Sequence, residues 1–109
     1  EPRRSQEAHP RVTEIRWTEQ AVQDLRAIRE FIERDSPRYG RLVAERLFEA
    51  TARLEAFPDS GRTVPELGRE DIREIIQGEY RIVYRREDQV VTLLTIFRSS
   101  RLFPTGLDR

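Results

Sequence analysis

A chain of 109 residues, 37% hydrophobic and 37% charged, suffices for one domain with a modest core under a heavily charged surface. With no cysteine, disulfides, thiolate catalysis and cysteine-based metal sites are excluded, and no apolar run approaches the ~18 to 20 residues of a membrane span. Net charge is zero and every basic residue is arginine, so the basic excess of a protein living on phosphate contacts is missing.

A soluble, cytoplasmic protein is expected, with no cofactor. Methionine is absent, so the chain is expected to start downstream of an initiator. The arginine bias has a compositional explanation in a genome rich in guanine and cytosine. It has a functional one in the planar guanidinium fork, which suits carboxylates and phosphates.

Residues 1–11 are polar, of mixed charge, and hold two prolines and His9, the chain's one histidine. They predict a flexible leader, where a lone histidine has no catalytic partner. Val12 to Trp17 predicts a short strand with Thr13, Ile15 and Trp17 on one face. Thr18 then offers an N-cap hydroxyl. Ala21, Leu25, Ile28 and Ile32, widened by Phe31, recur at helical spacing and predict a helix from Glu19 to Asp35. Ser36 caps and Pro37 opens a second helix, running to about Ala56 with Val43, Leu47, Ala50, Leu54 and Phe57 on its stripe. So short a linker demands an antiparallel helical hairpin.

Phe57 to Arg62 is a cluster of helix breakers, and Val64 to Gly68 is expected to continue in extended form. Ile72 to Gln77 predicts a strand, and Gly78-Glu79 a turn. Tyr80, Ile82 and Tyr84 then alternate with Arg81, Val83 and Arg85. Arg86 to Gln89 forms a polar turn before Val90 to Phe97, which is apolar or β-branched throughout, as in a strand covered on both sides. The order predicts an α+β fold: an N-terminal strand, then an antiparallel helical hairpin packed on one face of a twisted antiparallel sheet. Residues 12–104 make the domain and residues 105–109 a tail. The face of the sheet away from the helices is expected to stay partly open and to carry arginines.

Most enzyme templates fail. No phosphate-binding glycine loop, zinc-protease helix or nucleophile elbow occurs, and no metal ligand set is expected. The acid pairs of Glu66 with Glu70 or Asp71, and Glu87 with Asp88, fall in loops or turns, where a solvated surface explains them. Arginines remain. Arg81 lies either on the open face or in an ion pair across the sheet to Glu74 or Glu79. Arg98-Ser99-Ser100-Arg101 sets two fixed cations around two hydroxyls where the last strand ends, as an anion site or a plain polar loop would.

Taken in order, W-T-x-x-A-x-x-D-L from Trp17 to Leu25, Ser36-Pro37, F-P-x-x-G-R from Phe57 to Arg62 and V-P-E-L from Val64 to Leu67 form a specific pattern. Ile72-Arg73-Glu74, Y-R-I-V-Y-R from Tyr80 and F-R-S-S-R-L from Phe97 to Leu102 complete it. The set resembles the RelE/ParE toxin superfamily, and its ParE-like branch in particular. The resemblance implies a bacterial type II toxin, held inactive by a cognate antitoxin protein in a hetero-oligomer. It further implies that the toxin acts on DNA gyrase, without catalysis of its own and meeting nucleic acid only indirectly. It points to Arg98, Ser99, Arg101 and Phe103 as target contacts and leaves the antitoxin-binding residues unknown. The alternative branch is the RelE-like messenger-RNA endoribonuclease. There Arg81, Arg98 and Arg101 would be catalytic, but the C-terminal histidine or tyrosine common in that branch has no counterpart. A further alternative is an inactive member that binds its antitoxin and co-regulates the operon. The chain has Arg98-Ser99 where many relatives carry His-Gly.

Overall fold

The computed structural model describes residues 13–107, so the expected leader and His9 lie outside the described residues. Strand β1 (Glu14–Trp17) leads into helix α1 (Glu19–Glu33), helix α2 (Pro37–Ala52) and a 3-10 turn at Arg53–Glu55. Strands β2 (Arg62–Thr63), β3 (Ile72–Gln77), β4 (Tyr80–Glu87) and β5 (Val90–Arg98) follow. The sheet runs β1-β5-β4-β3-β2. Its first pair is parallel and the other three are antiparallel. The expected α+β layering, helical hairpin and final meander are all present.

The helices start where their caps dictate. Thr18 Oγ1 accepts the amide of Ala21 at 3.1 Å, and Ser36 Oγ accepts that of Tyr39 at 3.2 Å. Each cap satisfies an amide with no partner inside its helix and is worth ~1 kcal/mol. The two helices approach closely at Gly40, where a Cβ would stand 2.9 Å from the carbonyl oxygen of Arg29 and 2.4 Å from Glu33 Cγ. Any larger residue would wedge the hairpin apart.

Between helices and sheet lies the main core, in which Ala21, Leu47, Ala50 and Leu54 meet Tyr80, Ile82, Tyr84, Val91, Leu93 and Ile96. Two expected members fall elsewhere. Phe57 is 64% exposed, because the helical path ends in the 3-10 turn and the periodic stripe loses its phase. Phe31 is 62% exposed, on the flank of α1.

The continuous apolar run of β5 has a second cause besides double coverage. Val83 pairs with Thr95 while Tyr84 pairs with Leu93, so Leu94 is an extra residue, a β-bulge. Alternation therefore inverts within the strand. Val91 and Leu93 face the helices, and so does Ile96. The bulge also anchors α1. Thr18 Oγ1 donates to the carbonyl of Leu93 at 2.8 Å. Asp24 accepts the hydroxyl of Thr95 and, at 3.0 Å, the amide of Ile96. Thus W-T-x-x-A-x-x-D-L describes a helix docked through its cap, a buried alanine and one carboxylate onto an irregular strand.

The other face of the sheet differs from expectation. It is covered by the chain itself, in a second cluster of Val64, Ile72, Val83, Leu94 and Phe97 joined by Leu67, Phe103 and Leu107. The segment after Val64 is not extended. The amides of Leu67 and Gly68 both return to the carbonyl of Val64, at 3.1 and 2.9 Å, making a tight turn. The polar β-hairpin turn shrinks to Asp88-Gln89, with Asp88 at φ 50°.

Candidate functional site

Two arginine sites flank the C-terminal end of β5. The inner one is built on β3, β4 and the turn after β2. Arg73 and Glu74 of β3 pair with Tyr84 and Val83 of β4, and the F-P-x-x-G-R loop is sewn onto this region. Tyr84 Oη donates to the carbonyl of Pro58 at 2.9 Å and accepts the Gly61 amide at 3.0 Å. Gly61 has no room for a side chain, since a Cβ would lie 2.6 Å from the Glu74 carbonyl oxygen and 2.7 Å from Tyr84 Oη.

The loop thereby delivers Arg62, whose Nε donates to Glu74 Oε2 at 2.7 Å. The other oxygen of Glu74 accepts Arg81 Nε at 2.6 Å. Arg81 Nη1 and Nη2 donate in parallel to the two oxygens of Glu66, at 2.9 and 2.8 Å. Its guanidinium carbon lies 5.3 Å from the centroid of Phe97 and 5.2 Å from that of Phe103. Those rings meet edge to face at 5.8 Å. Arg81 is thus 7% exposed and the Glu74 side chain fully buried. Of the two readings of Arg81, the cross-sheet ion pair to Glu74 is the one realised. Glu66, expected to be a solvated loop acid, is its second partner.

This packing sets the charge states. The hydrogen bonds from Arg81 lower the Glu66 carboxyl from its ordinary value to about 2, against a smaller opposing effect of burial. Those same bonds hold the Arg81 guanidinium above its usual value. Because the folded value of Glu66 lies below the unfolded one, its stabilisation is complete above about pH 5 and fades as the pH falls toward 2. Its side chain is 42% exposed, and with that screening the contribution is about 1 kcal/mol. Glu66→Gln should therefore lower the urea midpoint at pH 7 and narrow its gap to the parent chain at pH 3. A gap that stays constant across that range would contradict the clamp.

The outer site begins where β5 ends. Arg98 pairs opposite Tyr80 in the sheet, lies 5.8 Å over the Tyr80 ring and forms an ion pair with Glu79. The Ser99 amide donates to the Glu79 carbonyl at 2.7 Å and the Arg101 amide to that of Arg98 at 3.0 Å, fixing the exit turn. A cleft of about 460 Å³ opens here against α1, floored by Ile28 and Ile96 and rimmed by Phe31, Arg34, Arg98 and Arg101. A second hollow of about 190 Å³, reaching Tyr39 and Val43 of α2, shares Tyr80 and Arg98 with it.

Of the residues singled out from the sequence, Arg98 and Arg101 line this cleft, with Ser99 between them in the exit turn. Phe103 turns inward onto Arg81 and Phe97, and Arg81 sits in the inner site. The cleft's apolar wall was missed, since Phe31 looked like core. Its place on the edge of the helical stripe was the available signal. No group of three or more His, Cys, Asp or Glu side chains that could hold a metal occurs among the described residues.

The helical hairpin against a twisted sheet is a fold shared with solved toxins. The chromosomal ParDE toxin-antitoxin system of P. aeruginosa superposes with a TM-score of 0.68 at 18% identity, covering 82% of this chain and 98% of that one. A mutant of the E. coli toxin RelE in the free state gives 0.59 at 18% identity, covering 82% and 85%. The RelBE2 toxin-antitoxin complex of Mycobacterium tuberculosis gives 0.51 at 25% identity, covering 80% and 98%. Toxin RelE2 of Caulobacter vibrioides is 33% identical over 92 residues, covering 84% of this chain and all of that protein. Residues 15–103 match the family described as the ParE toxin of the type II toxin-antitoxin system, parDE. The chain belongs to that family.

Proposed function

We propose that this toxin poisons DNA gyrase by binding it in the cytoplasm, through Arg98, Ser99 and Arg101, and performs no catalysis of its own. The observation that carries the reading is the state of Arg81. Every nitrogen of its guanidinium is engaged by Glu66 or Glu74, and the rings of Phe97 and Phe103 lie beside it. Such an arginine is a poor stabiliser of charge on a reacting phosphate, which needs donors free to meet it. Arg98 and Arg101, by contrast, stand exposed at a cleft. Phe103 supports them from inside by holding the exit against the sheet.

The partner of the resting state is a cognate antitoxin. An amphipathic helix with an apolar stripe and acidic flanks suits the cleft between α1 and β5, where Arg34 and Arg101 have no carboxylate partner among the described residues. In that position it would cover the same arginines that the target needs, so neutralisation is direct masking.

The ribonuclease reading is favoured by one observation, the 33% identity to a toxin named RelE2. Purified gyrase and a coupled translation reaction separate the two. Accumulated cleaved gyrase–DNA complex or lost supercoiling, with translation intact, is the expected result. Normal gyrase with cut messenger would overturn it.

A further inference from the structure

Helix α2 turns Leu47 and Ala50 toward the sheet, so Arg41, Glu45 and Glu49, spaced four apart in one row, lie on its opposite, solvent side. Between this row and α1 runs a groove of about 480 Å³ whose apolar floor is Leu25, Ala44 and Phe48. Phe48 is 54% exposed although it stacks on Trp17, with ring centroids 6.1 Å apart. Leu42 is exposed on the flank of the same helix. No residue lines both this groove and the cleft at the β5 exit.

The charges along the row stand in an order that α2 alone does not favour. Its first turn holds no acid, Arg38 and Arg41 come early, and Glu45 and Glu49 follow. A helix N-terminus favours acids, so the helix's own dipole opposes these cations. Neither Arg41 nor Glu49 has an ion-pair partner among the described residues. Arg29, on the facing helix, is held by Glu33 at 2.7 Å and is acted on electrostatically by Glu45.

A second copy of α2 laid antiparallel reverses that order. Arg41 of each chain then meets Glu49 of the other, on both sides of a two-fold axis near Glu45, and each Glu45 keeps Arg29 of its own chain as a neighbouring cation. We propose that this face docks a second copy of the chain in such an isologous contact. Phe48 and Leu42 supply its apolar part, and the two Arg41–Glu49 pairs set its register. Two helices of ~24 Å by ~10 Å give a footprint of about 500 Å² per copy, short of the ~800 Å² per partner of a stable complex. Association is therefore reversible, with a dissociation constant on the order of 10 μM. The exit cleft of each copy stays open. The proposal is independent of the gyrase reading, and its failure would leave that reading intact.

The test is sedimentation of the full chain over a roughly hundredfold range of concentration centred on ~10 μM, across which the parent should pass from monomer to dimer. Arg41→Glu and Glu49→Arg, each alone, set like charges against one another at both contacts and should weaken association at least tenfold, about the loss expected from such a juxtaposition. Both residues are exposed, so the unfolding midpoints should hardly move. An equimolar mixture of the two variants places opposite charges at both contacts again. It should form a mixed dimer with an affinity within about threefold of the parent's, a rescue that also shows both variants to be folded. A parent chain that stays monomeric throughout, as it would if another protein's helix is the occupant of this face, overturns the proposal. So do single variants that associate as the parent does, and so does a mixture that remains monomeric.

Discussion

Arg81→Met should destabilise the chain by about 3–5 kcal/mol, a large share of the ~5–15 kcal/mol that holds a domain of this size together. The loss is not chiefly that of a favourable ion pair. Glu74 is fully buried, and without Arg81 one of its oxygens would face the interior unpaired, with Arg62 left on the other. Glu66 would also lose both its donors. Methionine approximates the volume between Phe97 and Phe103, so the effect isolates charge from packing. The companion variant Arg81→Met/Glu74→Met removes the stranded carboxylate as well. It should recover at least 2 kcal/mol relative to the sum of the two single changes. Urea unfolding at pH 7 measures all three. A single Arg81→Met variant within 1 kcal/mol of the parent would show that the inner site is not the keystone described above.

The second large effect concerns activity and leaves stability nearly unchanged. On the proposed gyrase reading, Arg98→Ala/Arg101→Ala should weaken inhibition by about 100-fold, since exposed arginines at the centre of a contact are each worth ~1–2 kcal/mol or more. The ion pair of Arg98 with Glu79 is solvent-exposed, with side chains 47% and 71% accessible. Its loss should therefore move the urea midpoint little, by no more than ~0.5 kcal/mol of stability. The readout is the toxin concentration that halves supercoiling, set beside the unfolding curve of the same preparation. An unchanged inhibition curve would remove the exit from the target surface. Equal losses of activity and stability would recast these arginines as structural.

Much of this architecture is written in local periodicities. The alternation at Tyr80, Ile82 and Tyr84 against Arg81 and Val83 predicts which residues share each face of β4, and that division is found, although the Arg81 face is covered and not open. Ser36-Pro37 predicts a helix start that the cap bond to Tyr39 realises. Features made by contacts distant in sequence are harder to read. Glu66 reaches Arg81 across fifteen positions, and nothing in the spacing of V-P-E-L distinguishes a clamp from a solvated loop acid. Phe103 folds back onto Phe97 because the apolar far face of the sheet needs cover. Yet Leu102 beside it is 94% exposed, and composition alone ranks the two alike. The bulge at Leu94 is hidden because the run's two threonines are β-branched like their apolar neighbours, so the pattern marks no change in phase.

That one additional residue has a consequence for where the molecule presents its charge. A strand assigns side chains to its two surfaces by odd and even count, so an insertion exchanges the parity of everything after it. In a strand without the bulge, the five steps from Leu93 to Arg98 would put Arg98 on the Arg81 side of the sheet; the bulge at Leu94 absorbs one step and keeps Arg98 opposite Tyr80. Deletion of this residue would regularise the ladder and leave Arg98 opposite Tyr80 and Phe97 opposite Arg81. The side of the sheet that carries the exposed cation is thus determined by a residue count together with the bulge that absorbs one residue of it.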